Sequence, residues 1–565
     1  MSARPRDVLA HAVGPAAPRL LPLGDAGLVV QYGGDEISEA ANAAVLALGR
    51  AVASGPPDGV VEVVPTYRSL LIVYDPLRTT ATQLRRTVAE IASRADPADL
   101  PPARPIAIPV AYGGAPGPDL AAVAQEAGLS EAEVIALHSG QEYRVFMLGF
   151  TPGFPYMGTL PPRLRVARLA SPRIRVPGRS VAIAGLQTGV YPIESPGGWR
   201  LIGRTPLRIY DPSRSNPFLL EAGNRVRFVP ISDAEYERDP GDARASPPPA
   251  SPRPALLVES GGLLTTVQDL GRGGRRRFGL PQSGAMDSLA LRVTNLLIGN
   301  GPGAAALELT FPGPRLRAVR PVAIALGGAD HAPTVNGRTA GIWTAHRLEA
   351  GDVLAFGAPR AGTWGYLALP GGVDVPEVMA SRATYLPAGL GGHGGRRLEA
   401  GDRIGCGRMA PASMLRLPER LWPSLGACEV RVVLGPQEDY FTEDAVRALV
   451  EAPFQVSREF DRAGYRLDGP RLAHRARAEL LSDGLLPGAL QVPSGGQPIV
   501  IMPDGPSTGG YPKIGAVVGP DLRRVAQARR GETIRFRAVD WDVSHDAARE
   551  EAAYLAALRF ERVTG

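Results

Sequence analysis

The stretch that decides the fold runs from residue 138 to residue 158 and reads HSGQEYRVFMLGFTPGFPYMG. Alternating apolar residues, typical of a half-buried strand, lead into a loop that is rich in glycine and proline. Pro152 and Pro155 stiffen this loop. Its glycines, which include Gly149 and Gly153, permit backbone angles that other residues avoid. The pattern predicts a strand followed by a rigid corner, as in a small β-barrel.

Short strand candidates and helical patterns surround this stretch. The strand candidates are VAIAG (181–185), LRIYD (207–211), PVAIALGG (321–328) and EVRVVLG (429–435). Helical patterns cover residues 38–52, 80–94, 118–127 and 287–298, and Ser130 is a candidate N-cap of a further helix. The first hundred residues therefore look α+β, and the rest of the chain looks mainly β.

One short pattern recurs four times along the chain. It reads LEAGNRVRF (220–228), LEAGDVLAF (348–356), LEAGDRIGC (398–406) and ARRGETIRF (528–536). Glycine permits a turn, and the alternating apolar residues that follow supply a half-buried strand. Because the spacing is too irregular for a solenoid, the pattern predicts several β units that close with a similar hairpin or end strand.

The composition is that of a turn-rich globular protein, and it excludes several chemistries. Of the 565 residues, 44% are hydrophobic and 21% are charged, and there are 68 glycines and 56 prolines. Lys513 is the one lysine among 62 basic residues. A Walker phosphate loop, a pyridoxal enzyme and a biotin carrier each need a lysine, and the surrounding GGYPKIG matches neither the phosphate-loop nor the biotin pattern. Phosphate contacts would then come from arginine and backbone, or the carrier belongs to another chain.

Charge and targeting patterns indicate a cytoplasmic protein without a nucleic-acid or membrane partner. The net charge is +6, and the basic run at residues 272–277 has no interleaved aromatic residues. Nowhere do 18 apolar residues run together. Cys406 and Cys428 are too few for a disulfide framework, and the seven histidines lack metal-binding spacing. No metal site is predicted.

Candidate functional residues in the first half of the chain lie in and around two loops. His138 could be catalytic or a ligand, or it could be structural. The loop aromatics could pack against a planar ligand, the SPGGW loop (195–199) could form an anion-binding nest, and Arg173 or Arg179 could clamp a phosphate or carboxylate. A rigid barrel corner and solvated arginines are the structural alternatives. The candidates are His138, Phe150, Gly153, Phe154, Tyr156, Arg173, Gly197 and Gly198.

The second half of the chain carries a glycine- and arginine-rich loop, TTVQDLGRGGRRRFGLPQSGAMD (265–287). Polar residues on such a loop could hold a ligand, although Asp287 could simply cap its helix. Arg272 and Asp287 are candidate catalytic groups. The further binding candidates in this loop are Gln268, Asp269, Ser283 and Gly284.

Two later segments complete the candidate set. In DRAGYRL (461–467), two arginines could bind anions and a tyrosine could stack on a planar ring. The last loop, which ends in STGGYPK (507–513), is rich in donors and in backbone freedom, and Lys513 could make an ammonium contact to phosphate or could have survived by chance. The candidates are Arg462, Tyr465, Arg466, Gln491, Ser507, Thr508, Gly509, Gly510, Tyr511 and Lys513.

These blocks carry a resemblance to two known families. Residues 18–232, through the loops at 138–211 and the segments PTYRSLLIVYDP (65–76) and IPVAYGGAPGPDL (108–120), resemble the allophanate hydrolase subunit 1 family, which includes the B component of 5-oxoprolinase. Residues 255–540, through the blocks at 265–300, 307–314, 369–392, 457–470 and 485–522, resemble the allophanate hydrolase subunit 2 family, which includes the C component of 5-oxoprolinase. Similar paired modules form the carboxyltransferase part of urea carboxylase. Here a proline-rich segment (233–254) joins the two.

The resemblance implies a mainly β protein with an α+β N-terminal subdomain and cyclophilin-like β-barrels, one in the first module and two in the second. The expected organisation is a tail (1–17), the α+β subdomain (18–100), a barrel (101–232), the linker (233–254), two barrels (255–410 and 411–545) and a C-terminal helix or tail (546–565).

For function, the resemblance implies a fused B–C component of an ATP-dependent 5-oxoprolinase. ATP, with magnesium, would activate a lactam or amide substrate, and a partner similar to the A component of 5-oxoprolinase would complete its opening to glutamate. One alternative is a carboxyltransferase for urea or a similar amide, with carboxybiotin supplied by a partner. Another is a regulator of a histidine kinase. Whether the chain forms a homo-oligomer is left open. The site is expected between the modules because neither module has a complete catalytic set.

Overall fold

The computed structural model describes residues 17–103, 105–237, 253–407, 412–426 and 429–563, and the chain in these ranges is mainly β. The helices of the described residues are α1 (Glu39–Ser54), α2 (Ala81–Ala92), α3 (Leu120–Ala127), α4 (Glu131–Ser139), α5 (Asp233–Glu237), α6 (Ser288–Leu297), α7 (Glu443–Glu451), α8 (Gly519–Gln527) and α9 (Trp541–Ala557). The four helical patterns are confirmed as α1, α2, α3 and α6. Ser130 caps α4 as expected, since its hydroxyl accepts the Glu133 amide.

The N-terminal subdomain is an antiparallel sheet covered on one face by α1 and α2. Its strands are β1 (Arg19–Leu23), β2 (Gly27–Gln31), β3 (Val60–Pro65) and β4 (Ser69–Tyr74), in the order β1-β2-β4-β3. Ser38 and Thr80 begin the two helices, because each side chain accepts a backbone amide of the first turn. Leucine, valine and isoleucine side chains of the helices and sheet form a common core.

A closed seven-stranded barrel follows. Its strands are β5 (Pro105–Tyr112), β6 (Glu142–Leu148), β7 (Pro155–Gly158), β9 (Ser180–Ala184), β10 (Gln187–Val190), β12 (Arg200–Arg204) and β13 (Arg225–Pro230). A two-stranded side ribbon, β8 (Arg173–Val176) with β11 (Ser195–Gly197), stands beside it. The glycine-proline corner predicted from the sequence joins β6 to β7.

The middle unit differs from the implied barrel, because its strands form two sheets that share a core. The strands are β14 (Pro254–Ser260), β15 (Leu264–Gln268), β16 (Ala306–Thr310), β17 (Arg315–Ala318), β18 (Val322–Asp330), β19 (Thr334–Val335), β20 (Arg338–Thr339), β21 (Thr344–Leu348), β22 (Val353–Ala355), β23 (Ala361–Ala368), β24 (Arg403–Gly405), β25 (Leu415–Arg416) and, from the C-terminus, β35 (Glu561–Arg562). One sheet has the order β20-β19-β22-β17-β14-β24 and the other β15-β16-β23-β18-β21-β25-β35.

A second closed barrel ends the molecule. Its strands are β26 (Glu429–Leu434), β27 (Pro453–Phe460), β28 (Gly464–Asp468), β30 (Ala489–Gln491), β31 (Ile499–Ile501), β33 (Lys513–Val517) and β34 (Thr533–Ala538), with a side ribbon of β29 (Asp483–Gly484) and β32 (Thr508–Gly509). Its strand order repeats that of the first barrel. In both barrels one parallel pair, β5 with β13 and β26 with β34, closes the ring. The two modules therefore share a repeated barrel with a repeated side ribbon.

The four recurring turn-and-strand segments are confirmed. Their glycines, Gly223, Gly351, Gly401 and Gly531, have φ values of 95°, 95°, 96° and 80°, in the left-handed region that favours glycine. The strands that follow them are β13, β22, β24 and β34. In the two closed barrels, this strand is the one that completes the parallel pair.

Three sequence expectations differ from the structure or lie partly outside its described residues. LRIYD (207–211) is not a strand, because the segment makes only one isolated bridge, between Tyr210 and Phe218, whose rings stack at 5.2 Å. The C-terminal helix α9 begins at Trp541, before the predicted residue 546. Residues 1–16 and 238–252, which hold the predicted tail and most of the predicted linker, lie outside the described residues, and α5 occupies the start of that linker.

The two modules meet through the open face of the N-terminal sheet. Leu23 and Leu71 of that face pack against Leu485 and Ala516 of the second barrel in one buried cluster. Next to it, Arg276 and Glu62 form a buried ion pair with 3.0 Å between Nη1 and Oε2. The modules are thus joined by a buried apolar contact and by a charge pair that crosses it.

Lys513 belongs to this interface. Its ammonium is fully buried and lies 2.8 Å from Asp483 Oδ2, and Ser69 Oγ of the N-terminal sheet donates to the same carboxylate. Burial opposes ionisation of Asp483, yet the charge and hydrogen bond of Lys513 hold its pKa below the usual range. The one lysine therefore neutralises a buried carboxylate at the contact between modules.

Lys513→Met is expected to lower the free energy of unfolding by about 3–5 kcal/mol, because it leaves Asp483 buried without its cation. Urea denaturation measures this loss. The matched control is Arg86→Met, which breaks the exposed pair with Glu90 and should cost less than about 1 kcal/mol. An equal effect of the two substitutions would contradict the structural role of Lys513.

Asp25 makes the same interface sensitive to pH. It is buried, accepts the Gly519 amide at 2.9 Å, and burial raises its pKa from 3.8 to about 6. The folded state thus binds the proton more tightly than the unfolded state. Stability contributed by protonated Asp25 is lost as the pH rises from about 4 to about 6.

Asp25→Asn keeps the acceptor oxygen and removes the charge. We expect the melting temperature of the variant to exceed that of the natural chain at pH 7.5 and to approach it at pH 4.5. Calorimetry at the two pH values measures the difference. A variant that gains the same stability at both pH values would show that the charge of Asp25 is not the cause.

Candidate functional site

The corner between β6 and β7 forms the first wall of the site. Phe150 and Gly153 have φ values of 62° and 81°, and the Gly153 amide donates to the Phe278 carbonyl of the second module at 2.7 Å. Such a φ at a phenylalanine stores about 1–3 kcal/mol of strain, so the surroundings hold this corner in place. The Thr151 hydroxyl is buried in the corner without a hydrogen-bond partner among the described residues.

The glycine-rich loop of the second module forms the second wall. Gly271 and Gly284 lie back to back, and a Cβ atom at residue 284 would lie 2.7 Å from the Gly271 amide nitrogen. The loop places Ser283 in the left-handed region at φ 56°. It also buries Arg272, whose residue is 1% exposed. Close backbone packing thus fixes both side chains.

The segment that contains β32, just before strand β33 of the second barrel, forms the third wall. Ser507 and Thr508 are buried there, and neither hydroxyl has a partner among the described residues. Thr508 fits against Gly149 so closely that a Cβ atom at residue 149 would lie 2.0 Å from its Oγ1. The second barrel therefore touches the corner of the first barrel directly at this point.

These three walls bring together a set of buried polar groups without partners. Backbone contacts connect them: Ser283 donates its amide to the Pro503 carbonyl at 3.0 Å, and the Thr151 carbonyl lies against Gly279. Leaving a buried donor unpaired costs about 1–3 kcal/mol, so a concentration of them indicates a ligand site. The members, unpartnered among the described residues, are Thr151 Oγ1, Tyr210 OH, Arg272 Nε and Nη1, Ser283 Oγ, Ser507 Oγ and Thr508 Oγ1.

Arg272 is the charged member of this set. Its Nη2 donates to the Ala383 carbonyl, while Nε and Nη1 have no acceptor among the described residues. Burial lowers the pKa of Arg272, and the nearby charge of Asp269 acts against this. An arginine still stays protonated at neutral pH, so a positive charge with two spare donors is held inside the protein.

Most other predicted catalytic groups are fully engaged elsewhere. His138 is buried in the first barrel, where its ring nitrogens lie 2.7 Å from Tyr112 OH and 2.8 Å from Thr188 Oγ1. Burial lowers its pKa to about 3, so the ring is neutral and holds the barrel together. Asp287 caps α6 through the Ala290 amide at 2.9 Å and accepts from Gln527. His138 and Asp287 therefore have structural roles, His138 inside the barrel and Asp287 as a helix cap.

The predicted clamp Arg462 is also saturated. It lies 2.8 Å from Asp504 Oδ2, pairs with Glu308 and donates to the Gly284 carbonyl at 2.7 Å. It cannot bind a phosphate without breaking these pairs, and it instead supports the loop of Ser283. Tyr465 is buried with its hydroxyl on the Ala526 carbonyl. Arg466 is exposed and pairs with Glu459, so neither residue belongs to the site.

Three polar candidates support the loops. Asp269 accepts the Gly271 amide, the Ser381 hydroxyl and the Arg382 amide, which uses its carboxylate to shape the loop. Gln268 donates to the Thr384 carbonyl at 3.1 Å, and its buried Oε1 has no partner among the described residues. Gln491 donates to the Tyr511 carbonyl.

The aromatic candidates separate into core and rim. Phe154 is buried, edge-on to Tyr156 and Trp199 at 5.0 and 5.5 Å, and so packs inside the barrel instead of on a ligand. Tyr156 is only partly buried, and burial raises its pKa to about 12. Phe150 is 38% exposed. Phe150 thus remains available to a ligand, whereas Phe154 and Tyr156 pack against other rings.

The remaining glycine and arginine candidates lie on the two side ribbons. Gly197 packs so tightly that a Cβ atom would lie 2.3 Å from Tyr191 OH, and Arg173 donates to Asp119 at 2.7 Å. The corresponding ribbon of the second barrel includes Gly509, where a Cβ atom would lie 2.6 Å from Gln491 Nε2. Gly198, Gly510 and the exposed Tyr511 continue these ribbons.

Of the predicted residues, the structure therefore brings together Arg272, Ser283, Ser507 and Thr508, with the loop glycines that position them. Thr151 and Tyr210 are not among the residues predicted from the sequence. Thr151 lies inside the quoted GFTPGFPYMG loop, where its hydroxyl is a detectable signal, whereas Tyr210 lies in LRIYD, which the sequence predicts as a strand. Lys513 lies in the module interface with Asp483.

Among the described residues, no three histidine, cysteine, aspartate or glutamate side chains are placed to hold a metal ion. No helix in the described ranges is long and apolar enough to cross a membrane. The site consists of hydroxyls and one guanidinium, groups suited to bind and stabilise a negatively charged oxygen.

Two family models match the chain, one in each module. The model described as the carboxyltransferase domain, subdomain C and D, matches residues 18–220, and the model for subdomain A and B matches residues 278–538. The two matches include residues of all three walls of the site, while Arg272 itself lies between the matched ranges.

Curated relatives match the same two modules. The chain is 38% identical over 307 residues to the C component of 5-oxoprolinase from Escherichia coli (strain K12), covering 54% of this chain and 97% of that protein. It is 42% identical over 228 residues to the B component of 5-oxoprolinase from Bacillus subtilis (strain 168), covering 38% and 93%. Urea amidolyase of Lachancea kluyveri is 32% identical over 329 residues, 54% of this chain but 18% of that enzyme.

A solved structure covers both modules together. The crystal structure of TTHA0988 superposes with a TM-score of 0.80 at 38% identity, over 90% of this chain and 99% of that one. The arrangement of the modules thus recurs in a second protein. The chain belongs to the carboxyltransferase-domain family and joins, in one polypeptide, a module similar to the B component of 5-oxoprolinase and a module similar to its C component.

Proposed function

We propose that this protein is the fused B–C component of an ATP-dependent 5-oxoprolinase, which activates 5-oxoproline in the cytoplasm for a separate A component. The names of the relatives support the substrate class. The observation that carries the proposal is the buried set of unpaired donors around Arg272, built by both modules. A lactam is too stable to open without activation, and these donors are suited to the charge that its activation creates.

The proposed reaction begins with phosphoryl transfer to the lactam oxygen. That oxygen attacks the γ-phosphorus of ATP, the bond from this phosphorus to the bridging oxygen breaks, and ADP leaves with the electron pair. Two water molecules then complete the conversion to glutamate and inorganic phosphate with the A component. The task of this chain is to position the two substrates and to stabilise charge on the transferred group.

Arg272 is the proposed charge-stabilising residue. Its Nε and Nη1 donate in different directions, because the N–H bond of Nε points toward the Nη2 side of the guanidinium, so each would bind a separate negatively charged oxygen. The hydroxyls of Ser283 and Thr508 would donate to the same group or to the lactam oxygen. Magnesium would enter bound to the nucleotide, because the buried carboxylates Asp504 and Glu308 are already paired with Arg462 and are not free to hold a metal ion.

A second candidate is carboxyl transfer to an amide, and the description of the matching family models favours it. The same donors would bind the carboxylate of carboxybiotin. Lys513 is fully buried against Asp483, so this lysine is not accessible for biotin attachment, and the carrier would have to be a partner protein. Regulation of a kinase is less favoured, because that role does not require a buried guanidinium with spare donors.

The assay that tests the function combines the purified chain with an A component of 5-oxoprolinase, ATP and 5-oxoproline. We expect glutamate and ADP to form together, and only when both proteins are present. The matched second reaction replaces ATP with a carboxybiotin carrier and 5-oxoproline with urea. Carboxyl transfer in that reaction, with no glutamate in the first, would reject the proposal in favour of the second candidate.

Arg272→Gln tests the residue that carries the proposal. Removing one donor to a developing charge typically costs about 100- to 1,000-fold in kcat, and we expect a loss in this range. The free energy of unfolding should fall by no more than about 1–3 kcal/mol, because only the hydrogen bond from Nη2 to the Ala383 carbonyl is lost among the described residues. Steady-state kinetics and urea denaturation measure the two effects.

The control for this substitution is Arg466→Gln, on an exposed arginine paired with Glu459. It should leave both kcat and stability unchanged. If Arg272→Gln kept full activity, or if it lost activity only because it unfolded, Arg272 would have no part in the reaction.

A further inference from the structure

A cleft of about 690 Å³ lies where three parts of the chain meet, apart from the buried donors described above. Helix α1 forms one wall, and strands β6 and β13 with the turn before β13 form another. Arg277 and Phe278, from the second module, complete it. The volume is that of pockets that hold drug-sized ligands, about 300–1,000 Å³.

Four arginines line this cleft: Arg50, Arg144, Arg225 and Arg277. Among the described residues, only Arg225 of the four has an ion-pair partner, Glu39 at 3.2 Å. Arg277 lies over the ring of Phe278, with 4.6 Å from its guanidinium carbon to the ring centre. Two glutamates, Glu39 beside Arg225 and Glu221 in the lining, stand against these four arginines, so the cleft keeps an excess of positive charge.

Arg144 is fixed in position within the cleft. Its Nε donates to Asn42 Oδ1 at 2.9 Å, and Asn42 is in turn held by the carbonyls of Thr66 and Phe146. Burial lowers the pKa of Arg144, the charge of Glu39 acts against this, and the charge of Arg225 lowers the pKa further. An anion bound beside Arg144 and Arg225 would add to the partial neutralisation that Glu39 already provides.

The rest of the lining contains one carboxylate, Glu221, the polar Asn224, and apolar side chains that include Leu46, Val63 and Pro65. An inorganic anion would leave the apolar side chains without a partner. We propose that the cleft binds an organic phosphate of nucleotide size, with its phosphates on the arginines and its apolar part on this wall.

Such a ligand would bridge the two modules, since Arg277 comes from the second and the other three arginines from the first. Arg277 follows Arg276, which anchors the loop to Glu62. Arg277 lies five positions after Arg272 in the sequence, so at most about 18 Å of chain separates the two. Binding would reinforce the docking of the loop that carries Arg272. The inference goes beyond the proposed function and does not depend on which substrate the chain activates.

Calorimetric titration of the full-length Arg272→Gln chain tests this site, because that background weakens phosphate binding at the proposed active site. The probes are ADP and inorganic pyrophosphate, which share a diphosphate. We expect ADP to bind more tightly than pyrophosphate. We also expect Arg50→Gln combined with Arg277→Gln to weaken ADP binding at least tenfold. Both side chains are exposed, so these substitutions should not disturb folding.

Arg86→Gln, on an exposed arginine of α2, is the matched control and should leave ADP binding unchanged. The proposal fails if ADP does not bind, if the double substitution has no effect, or if Arg86→Gln weakens binding equally. Equal affinity for pyrophosphate and ADP would show that the cleft recognises only the diphosphate, and would contradict the proposal that the ligand is organic. A failed glutamate assay, by contrast, would leave this titration result unaffected.

Discussion

The buried ion pair between Glu62 and Arg276 is the contact on which the functional geometry depends. It fixes the glycine-rich loop of the second module against the N-terminal sheet of the first, in a buried setting that screens the attraction only weakly. From this anchor the loop carries Arg272 to one side and Arg277 to the other. Separating the modules would leave two charges uncompensated, so their docking is specific as well as apolar.

The two closed barrels share a strand order and a side ribbon, yet they play different parts. The ribbon of the second barrel seats Thr508 against the corner of the first barrel at Gly149. The ribbon of the first barrel instead faces outward at Ile174, which is 85% exposed. One repeated architecture thus supplies both the receiving corner and the inserted ribbon, which explains why both modules are needed to build the set of unpaired donors.

Local sequence signals predicted the elements well because each depends on a few neighbouring residues. Ser38, Thr80 and Asp287 cap their helices as their side-chain chemistry requires, and the glycines of the four recurring turns adopt the left-handed region. LRIYD is not a strand, since its pairing stops at one isolated bridge between Tyr210 and Phe218. The third barrel, implied by family resemblance alone, instead became two facing sheets.

By itself, the sequence determined the mainly β architecture, the capped helices and a single lysine whose surroundings match neither the phosphate-loop nor the biotin pattern. Only the tertiary structure decided which polar side chains are paired within the fold and which keep unpaired donors. Lys513 is neutralised by Asp483 and Arg462 by Asp504 and Glu308, whereas Arg272 keeps two donors unpaired within the described part of the chain. The reason is physical: an arginine or lysine looks alike in any sequence, and its role depends on carboxylates that only folding brings within reach.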